Sequence, residues 1–369
     1  MTRLRRRPDG NDGDLGLAVA ATAPPDHRVE QKRDAEVAMA AAMELRWIDE
    51  SEMRQCDLSE LGALRSRTDG FLWLDIPEWS EAAERMLADD FGFHAMAIEG
   101  SRERNHIPRV HIYTDHLFIV IHAPEIGAAG HVHYLELDQF IGEHFLVTVH
   151  GPRNPKVPLE TTLRETREVI TRMEAGRLKP SSPFGLIYAI VSTIVRRDAA
   201  LVADIAREVG LLEQRVMLAS DEEPQTFLNE LFTARHELLT IKTMTSQGGQ
   251  IYERAIKSAK FVNHDGLKKM KDLVDQYERV VSISQSQLEF LMGVTEFYRA
   301  RTDTKMTIAA ERLAVIAAIT LPITSLSSVV GMNVIVNEET HWEWLSVLLL
   351  IMLIMSLTLL RWAKRQGWW

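Results

Sequence analysis

Six polar side chains are concentrated near the end of a long uncharged run close to the C-terminus: Thr320, Thr324, Ser325, Ser327, Ser328 and Asn333. A helix embedded in lipid rarely carries polar groups that have no use, and such groups mark the pathway of an ion or a substrate. Close helix packing through small residues would also explain the serines. It does not explain an asparagine beside an acidic segment. The pattern therefore favours a polar pathway through a membrane.

These polar residues share one predicted helical face with residues further back along the chain. Steps of three and four residues keep to one side of an α-helix. Such steps from Ser328 toward the N-terminus reach Thr324, Leu321, Ala317, Leu313, Ala310, Met306, Thr307, Asp303, Arg299 and Glu296. The predicted face is polar at one end, apolar in the middle and charged at the other end.

Two uncharged runs can place this helix and a second one in a membrane. Residues 313–332 and residues 344–360 carry no charge. A helix needs roughly 20 apolar residues to cross the hydrocarbon layer, within a range of about 17–25, so the second run lies at the lower limit. Tryptophans at its two ends suit interfacial belts: Trp342, Trp344, Trp362, Trp368 and Trp369. A buried hairpin of core helices is the alternative, but a soluble core helix rarely stays uncharged for five turns.

Basic residues predict the orientation of the two spans. They precede the first span and follow the second: Arg299, Arg301, Lys305, Arg312, Arg361, Lys364 and Arg365. The segment between the spans has no Lys or Arg and carries Glu338, Glu339 and Glu343. Because Lys and Arg collect on the cytoplasmic side, both termini are expected in the cytoplasm and the acidic loop outside.

Composition excludes several classes of function. The chain has 369 residues, 46% of them hydrophobic and 25% charged, which suits about two globular domains. A net charge of -10 argues against nucleic acid as a partner and suits a protein that gathers cations. The single cysteine, Cys56, excludes an intrachain disulfide and a thiolate-cluster zinc site. No common nucleotide-binding, esterase or metalloprotease signature is present, so neither an enzyme nor a cofactor is predicted.

Histidine is the one residue type whose distribution suggests a resident metal. Nine of the 13 histidines lie between residues 94 and 150, and His131 and His133 are expected to share one face of a strand. Their spacing matches no known ligand set, so packed or solvated roles are favoured over a zinc site. A membrane-anchored, metal-dependent enzyme remains an alternative from a different class.

The rest of the chain divides into a tail and a mixed domain. Residues 1–42 are predicted to be a disordered tail, although residues 15–23 also resemble the apolar stretch of a signal peptide. Runs such as residues 71–76 alternate with helical segments such as the one that begins after Ser80, and they predict a mixed α/β domain over residues 43–180.

Long helices are expected to join this domain to the membrane. Apolar residues recur at three and four positions over residues 181–308, and one helix from residue 266 to residue 332 would be roughly 100 Å long. Two spans cannot enclose a pore alone, so a ring of identical copies is expected. The predicted boundaries are 309–333 for the first span, 334–343 for the outer loop, 344–361 for the second span and 362–369 for a basic cytosolic tail.

Gly331-Met332-Asn333, at the end of the first span, resembles the signature of the CorA family of magnesium channels in the two-span GxN superfamily. Pro322 and Thr324 lie at the spacing that the family uses, and the loop has the family's length. Upstream segments resemble the family's α/β funnel domain and its first long helix. The resemblance extends from about residue 44 to the C-terminus.

The resemblance implies an α+β membrane protein in the inner (plasma) membrane, a homopentamer whose first spans line a pore for Mg²⁺, Co²⁺ or Ni²⁺. Gly331, Met332 and Asn333 would form the selectivity filter, Thr324 a deeper polar ring and Leu313 a hydrophobic constriction. Pore-lining positions would be Ser328, Thr324, Leu321, Ala317, Leu313 and Ala310. Glu338 and Glu339 would attract cations. Glu296, with Glu99, would belong to a cytosolic site at which Mg²⁺ acts as a regulatory ligand.

This sequence departs from the family pattern at several positions. Ala310 replaces a bulky apolar residue, and Val330 replaces a frequent aromatic one. The family's Glu-Asp pair is Glu99-Gly100 here, which is expected to remove a partner of Glu296. The ZntB branch of zinc transporters shares the architecture and remains open. The histidine-rich region favours that branch, whereas the intact Met332 argues against it.

Overall fold

The computed structural model describes residues 43–218, 224–334 and 342–365. A seven-stranded sheet with helices on both faces forms the first part, in agreement with the predicted α/β domain. Its strands are β1 (Glu44–Ile48), β2 (Met53–Cys56), β3 (Phe71–Ile76), β4 (Arg109–Ile112), β5 (His116–Ile126), β6 (Val132–Gly142) and β7 (Phe145–Val149), in the spatial order β2-β1-β3-β7-β6-β5-β4. The predicted tail over residues 1–42 lies outside the described residues.

Short helices cover one face of the sheet, and long helices cover the other. The helices are α1 (Leu61–Arg65), α2 (Glu81–Arg85), α3 (Ala95–Arg102), α4 (Leu159–Thr162), α5 (Arg164–Glu174), α6 (Pro183–Met217), α7 (Pro224–Ser258), α8 (His264–Val334) and α9 (Trp342–Arg365). The predicted cap of α2 is present, because the Ser80 hydroxyl accepts a hydrogen bond from the backbone N–H of Ala83.

The strand predicted over residues 71–76 lies in the centre of the sheet. β3 pairs in parallel with β7 and antiparallel with β1. All six of its residues are buried. Phe71 and Trp73 pack against the long helices, whereas Leu72 and Leu74 pack against the short ones. Burial on both faces accounts for a continuous apolar run in place of an alternating one.

A buried polar chain joins β3 to the end of β7. Trp73 Nε1 donates to Thr148 Oγ1 at 3.0 Å, and this hydroxyl donates to Asp75 Oδ1 at 2.5 Å. His150 Nε2 lies 3.0 Å from the same carboxylate oxygen. Although burial disfavours the charge, His150 and Thr148 hold the pKa of Asp75 below its usual range. The chain satisfies polar groups that would otherwise destabilise the sheet.

The three long helices pack together along apolar stripes. Ser182 caps α6, and Pro183 occupies its first turn, where a missing N–H costs no hydrogen bond. In α7, Gly248 and Gly249 lie directly against the ring of Tyr277 on α8. A Cβ at Gly248 would lie 2.9 Å from that ring, so glycine permits this close contact. The helices α6, α7 and α8 confirm the predicted long helices.

A single helix connects the bundle of long helices to the most apolar part of the chain. α8 has 71 residues, about 107 Å at 1.5 Å per residue, which confirms the predicted long helix. Among the described residues, one helix is long and apolar enough to cross a membrane, and it lies within His264–Ser328. α9 has 24 residues and packs against α8.

Candidate functional site

The predicted pore-lining residues all lie along one exposed face of α8: Ser328, Thr324, Leu321, Ala317, Leu313 and Ala310. Leu313 and Leu321 are each 67% exposed, so no other part of the described chain covers them. At 100° per residue, these positions follow a narrow stripe along the helix.

The opposite face of α8 is the face that α9 covers. Half-buried residues form a second stripe at Val315, Ile319, Pro322, Ile323 and Leu326. An α-helix turns by 100° per residue, and on this geometry the second stripe lies about 180° around the helix axis from the predicted pore-lining stripe. On α9, the shielded residues recur with the same spacing at Met352, Met355, Ser356, Leu359 and Ala363. The contact between the two helices therefore leaves the predicted pore-lining stripe uncovered.

Threonine hydroxyls on α8 are oriented by their own helix. Thr324 Oγ1 donates to the carbonyl of Thr320 at 2.8 Å, and Thr320 Oγ1 donates to that of Ile316 at 2.9 Å. With its proton committed, each hydroxyl oxygen still has lone pairs that can accept a hydrogen bond. Thr324 can therefore present an acceptor to the water around a hydrated cation.

The predicted filter residues Gly331, Met332 and Asn333 lie in the last turn of α8, which ends at Val334. They follow Ser328 by about one helical turn. The predicted cation-attracting residues Glu338 and Glu339 lie outside the described residues. The predicted filter thus sits at one end of the helix that carries the predicted pore-lining stripe.

The predicted regulatory carboxylates do not form a metal site within one chain. Glu296 on α8 and Glu99 on α3 are both exposed. In the part of the chain that the structure describes, no group of three or more His, Cys, Asp and Glu side chains could hold a metal ion. Glu296 lies 37 residues before Asn333, about 55 Å along α8.

Gly100, the position at which the resemblance implies a missing partner of Glu296, faces the interior of the α/β domain. It is buried, and a Cβ there would lie 3.2 Å from Arg109 Nη2 and 3.2 Å from the ring of Phe118. A side chain at this position would therefore point into the α/β domain. Its carbonyl accepts hydrogen bonds from Asn105 Nδ2 at 2.5 Å and from Arg109 Nη2 at 3.3 Å.

Several histidines have packing partners. His116 stacks on Tyr113 with 4.6 Å between ring centroids, and His122 Nε2 lies 2.6 Å from the carbonyl oxygen of Asn105. Burial lowers the pKa of both imidazoles. The prediction that His131 and His133 share a strand is wrong, because His131 ends the turn before β6. Their rings still meet, 4.6 Å apart.

A buried acid in the helical bundle escaped the sequence analysis. Asp198 on α6 is 1% exposed and faces Thr245 of α7 and Tyr277 of α8. Burial raises its pKa to about 8, and Glu165 adds to this against the opposing effect of Arg197. The sequence pattern could have revealed this buried acid, because Asp198 lies four residues after Ile194 and four before Val202 in the buried stripe of α6.

The comparisons with known proteins agree with this architecture. A family model described as CorA-like Mg²⁺ transporter protein matches residues 68–365. YfjQ of Bacillus subtilis is 26% identical over 303 residues, which cover 80% of this chain and 89% of that protein. The cobalt/magnesium transport protein CorA of Thermotoga maritima is 20% identical over 284 residues, covering 76% of this chain and 78% of that protein.

Solved structures show the same fold. The complete CorA magnesium transporter from Methanocaldococcus jannaschii matches with a TM-score of 0.71 at 15% identity, covering 89% of this chain and 98% of that chain. The ZntB cytoplasmic domain from Vibrio parahaemolyticus matches with a TM-score of 0.54 at 12% identity, covering 71% of this chain and 98% of that chain. The family model covers most of the chain, and this protein therefore belongs to the CorA family of metal ion transporters.

Proposed function

We propose that this chain is the subunit of a homopentameric channel that carries Mg²⁺ across the plasma membrane down its electrochemical gradient. One observation carries the proposal. The predicted pore-lining stripe of α8 lies opposite α9, on a helix whose last turn holds Gly331, Met332 and Asn333. Family membership supports transport of a metal ion, and the stripe supplies the route.

A ring of subunits accounts for the uncovered stripe. One α8 and one α9 cannot enclose a water-filled path, whereas identical copies around an axis can. With five copies, α9 lies on the lipid side of each α8, and the stripe from Ala310 to Ser328 faces the axis. Leu313 then narrows the path with apolar side chains, and Thr324 lines it with hydroxyl oxygens.

Neutral oxygens at the outer end suit a hydrated magnesium ion. Mg²⁺ is small and gives up its water slowly, so a filter that recognises the hydrated ion avoids a large cost. The amide oxygens of a ring of Asn333 side chains, with the carbonyls of Gly331 and Met332, can accept hydrogen bonds from that water. A ring of carboxylates would bind more strongly but would slow release, and conduction requires both capture and release.

The outer loop and the membrane potential supply attraction and direction. With both termini cytoplasmic, Glu338 and Glu339 face outward and raise the local concentration of cations. An inside-negative potential stabilises a divalent ion inside by about 4.6 kcal/mol per 100 mV, twice the value for a single charge. No nucleotide hydrolysis is required for entry.

The choice of ion separates this proposal from a ZntB-like alternative. The Thermotoga relative is named for cobalt and magnesium, which supports Mg²⁺ together with Co²⁺. The alternative is transport of Zn²⁺, which the many histidines of the α/β domain favour.

Flux into liposomes that contain the purified protein tests the choice. With dyes for Mg²⁺ and Zn²⁺ inside matched vesicles, we expect Mg²⁺ entry that exceeds entry into protein-free vesicles. Zn²⁺ entry without Mg²⁺ entry would favour the ZntB-like alternative and contradict the proposal.

We expect Glu296 to take part in closing the channel when internal Mg²⁺ is high. Divalent ions between neighbouring subunits would bridge exposed carboxylates and hold the ring together. Glu296→Lys replaces a ligand with a positive charge, so flux should lose its inhibition by internal Mg²⁺. Glu253→Lys on α7, which removes a surface ion pair with Lys257, is the control and should keep it. Unchanged inhibition in Glu296→Lys would exclude this site as the sensor.

A further inference from the structure

A groove beside the cytosolic part of α8 combines arginines from three helices. It lies between α5, α6 and α8 and has a volume of about 480 Å³. Arg172 comes from α5, Arg196 from α6 and Arg279 from α8. We call it the arginine groove. Its volume lies in the range of small-molecule sites, about 300–1,000 Å³.

Two of these arginines form no close ion pair in the part of the chain that the structure describes, although Arg279 contributes, after Tyr188 and Gln276, to the lowered pKa of Asp272. Among the described residues, the guanidinium groups of Arg172 and Arg279 make no hydrogen bond or ion pair. Arg196 Nη2 bonds the hydroxyl of Thr193 at 2.9 Å and lies 3.8 Å from Glu168 Oε1, on the surface. The groove therefore retains donors that can bind an added anion.

An acid that contacts two residues of the groove is already engaged. Asp272 Oδ2 accepts hydrogen bonds from Tyr188 Oη at 2.5 Å and from Gln276 Nε2 at 2.7 Å. These two side chains line the groove and hold Asp272 in place. Glu168 and Asp272 balance two of the three arginine charges, so one positive charge remains in excess.

The floor of the groove is apolar. Leu178, Val195, Val280 and Ile283 line it together with two alanines, and Ile283 is 48% exposed. A ligand with only charged groups would leave this surface in water. A flat apolar group placed on it would remove apolar area from water while its charged end meets the arginines.

We propose that the arginine groove binds an organic phosphate, with the phosphate groups on Arg172 and Arg279 and the apolar part on the floor beside Ile283. Arginine matches phosphate oxygens with two parallel N–H donors, which favours phosphate over a simple anion. The ligand would connect α5 and α6 to α8, the helix that carries the predicted pore-lining stripe. It would therefore stabilise the contact of that helix with the cytosolic domain.

Binding to the full-length protein in detergent tests this proposal without any measurement of flux, so the result is independent of the channel proposal. The probes are ATP, tripolyphosphate and adenosine, in equilibrium dialysis against divalent-free buffer. We expect ATP to bind more tightly than tripolyphosphate, and adenosine not to bind. Arg172→Gln and Arg279→Gln should each weaken ATP binding at least about tenfold, the loss expected for a charge-assisted hydrogen bond.

Arg254→Gln, an exposed position on α7 outside the groove, is the matched control and should leave ATP binding within about twofold. Gel filtration and thermal unfolding of each variant establish that the fold is intact. ATP binding that is absent at millimolar concentration, unchanged in both groove variants, or equalled by tripolyphosphate would overturn the proposal.

Discussion

Asn333→Ala is expected to assemble normally and to lose selective Mg²⁺ flux. The substitution removes the side-chain amide oxygen at the predicted filter and leaves the helix that carries it. If each subunit of the ring contributes one oxygen, all of them are lost together. We expect flux in liposomes to fall at least about tenfold, which corresponds to about 1.4 kcal/mol.

A second span residue provides the control for this variant. Thr358 Oγ1 on α9 donates to the carbonyls of Ile354 at 2.6 Å and Met355 at 2.9 Å, so its hydroxyl serves its own helix. Thr358→Ala should retain flux and assembly. If Asn333→Ala kept full Mg²⁺ flux and ion preference, the predicted filter would be wrong, whatever the effect of the control.

Asp198→Asn should make the protein less sensitive to alkaline pH. The folded pKa of Asp198 is raised to about 8 from an ordinary value of 3.8. Between these values the unfolded chain carries the charge and the folded chain carries the proton. Stability from this group is therefore complete at acid pH, falls as pH rises and stops falling above about pH 8.

The size of the change in stability follows from the difference between the folded and the ordinary pKa of Asp198. One pKa unit corresponds to about 1.4 kcal/mol, so the carboxyl can lower stability by about 6 kcal/mol between acid and alkaline pH. Asparagine has nearly the same shape and carries no charge. The free energy of unfolding of Asp198→Asn should thus exceed that of the wild type by an amount that grows with pH.

Thermal unfolding in detergent at pH 5.5, 7 and 8.5 checks this. The melting temperature of the wild type should fall with pH relative to that of Asp198→Asn. Asp204→Asn, an exposed acid on the same helix, is the control and should follow the wild type. Parallel curves for the wild type and Asp198→Asn would mean that the buried carboxyl is already charged in the fold.

Periodicity predicted the elements that position the candidate site. The apolar runs and the absence of proline before Pro322 led to one long helix, which α8 confirms. Residues 71–76 were predicted as a buried strand because their apolar run is continuous, and β3 is buried on both faces. Spacing also placed the six predicted pore-lining residues from Ala310 to Ser328 on one face, and this face is the one that α9 leaves uncovered.

Contacts between distant parts of the chain could not be predicted in this way. Arg172, Arg196 and Arg279 are separated by more than 100 residues from first to last, and only the packing of α5, α6 and α8 brings them to one groove. Gly100 shows the same limit. The pair Glu99-Gly100 could be read from the sequence, whereas the packing of Gly100 against Arg109 follows only from the fold.

Mg²⁺ entry under an imposed membrane potential tests the central claim most directly. Liposomes that contain the wild-type protein and an internal Mg²⁺ dye are given an inside-negative potential with a potassium gradient and valinomycin. A passive channel predicts Mg²⁺ entry that rises with the size of the potential and needs no proton gradient. Absence of Mg²⁺ entry at every potential, with Zn²⁺ entry that follows a proton gradient, would contradict the account.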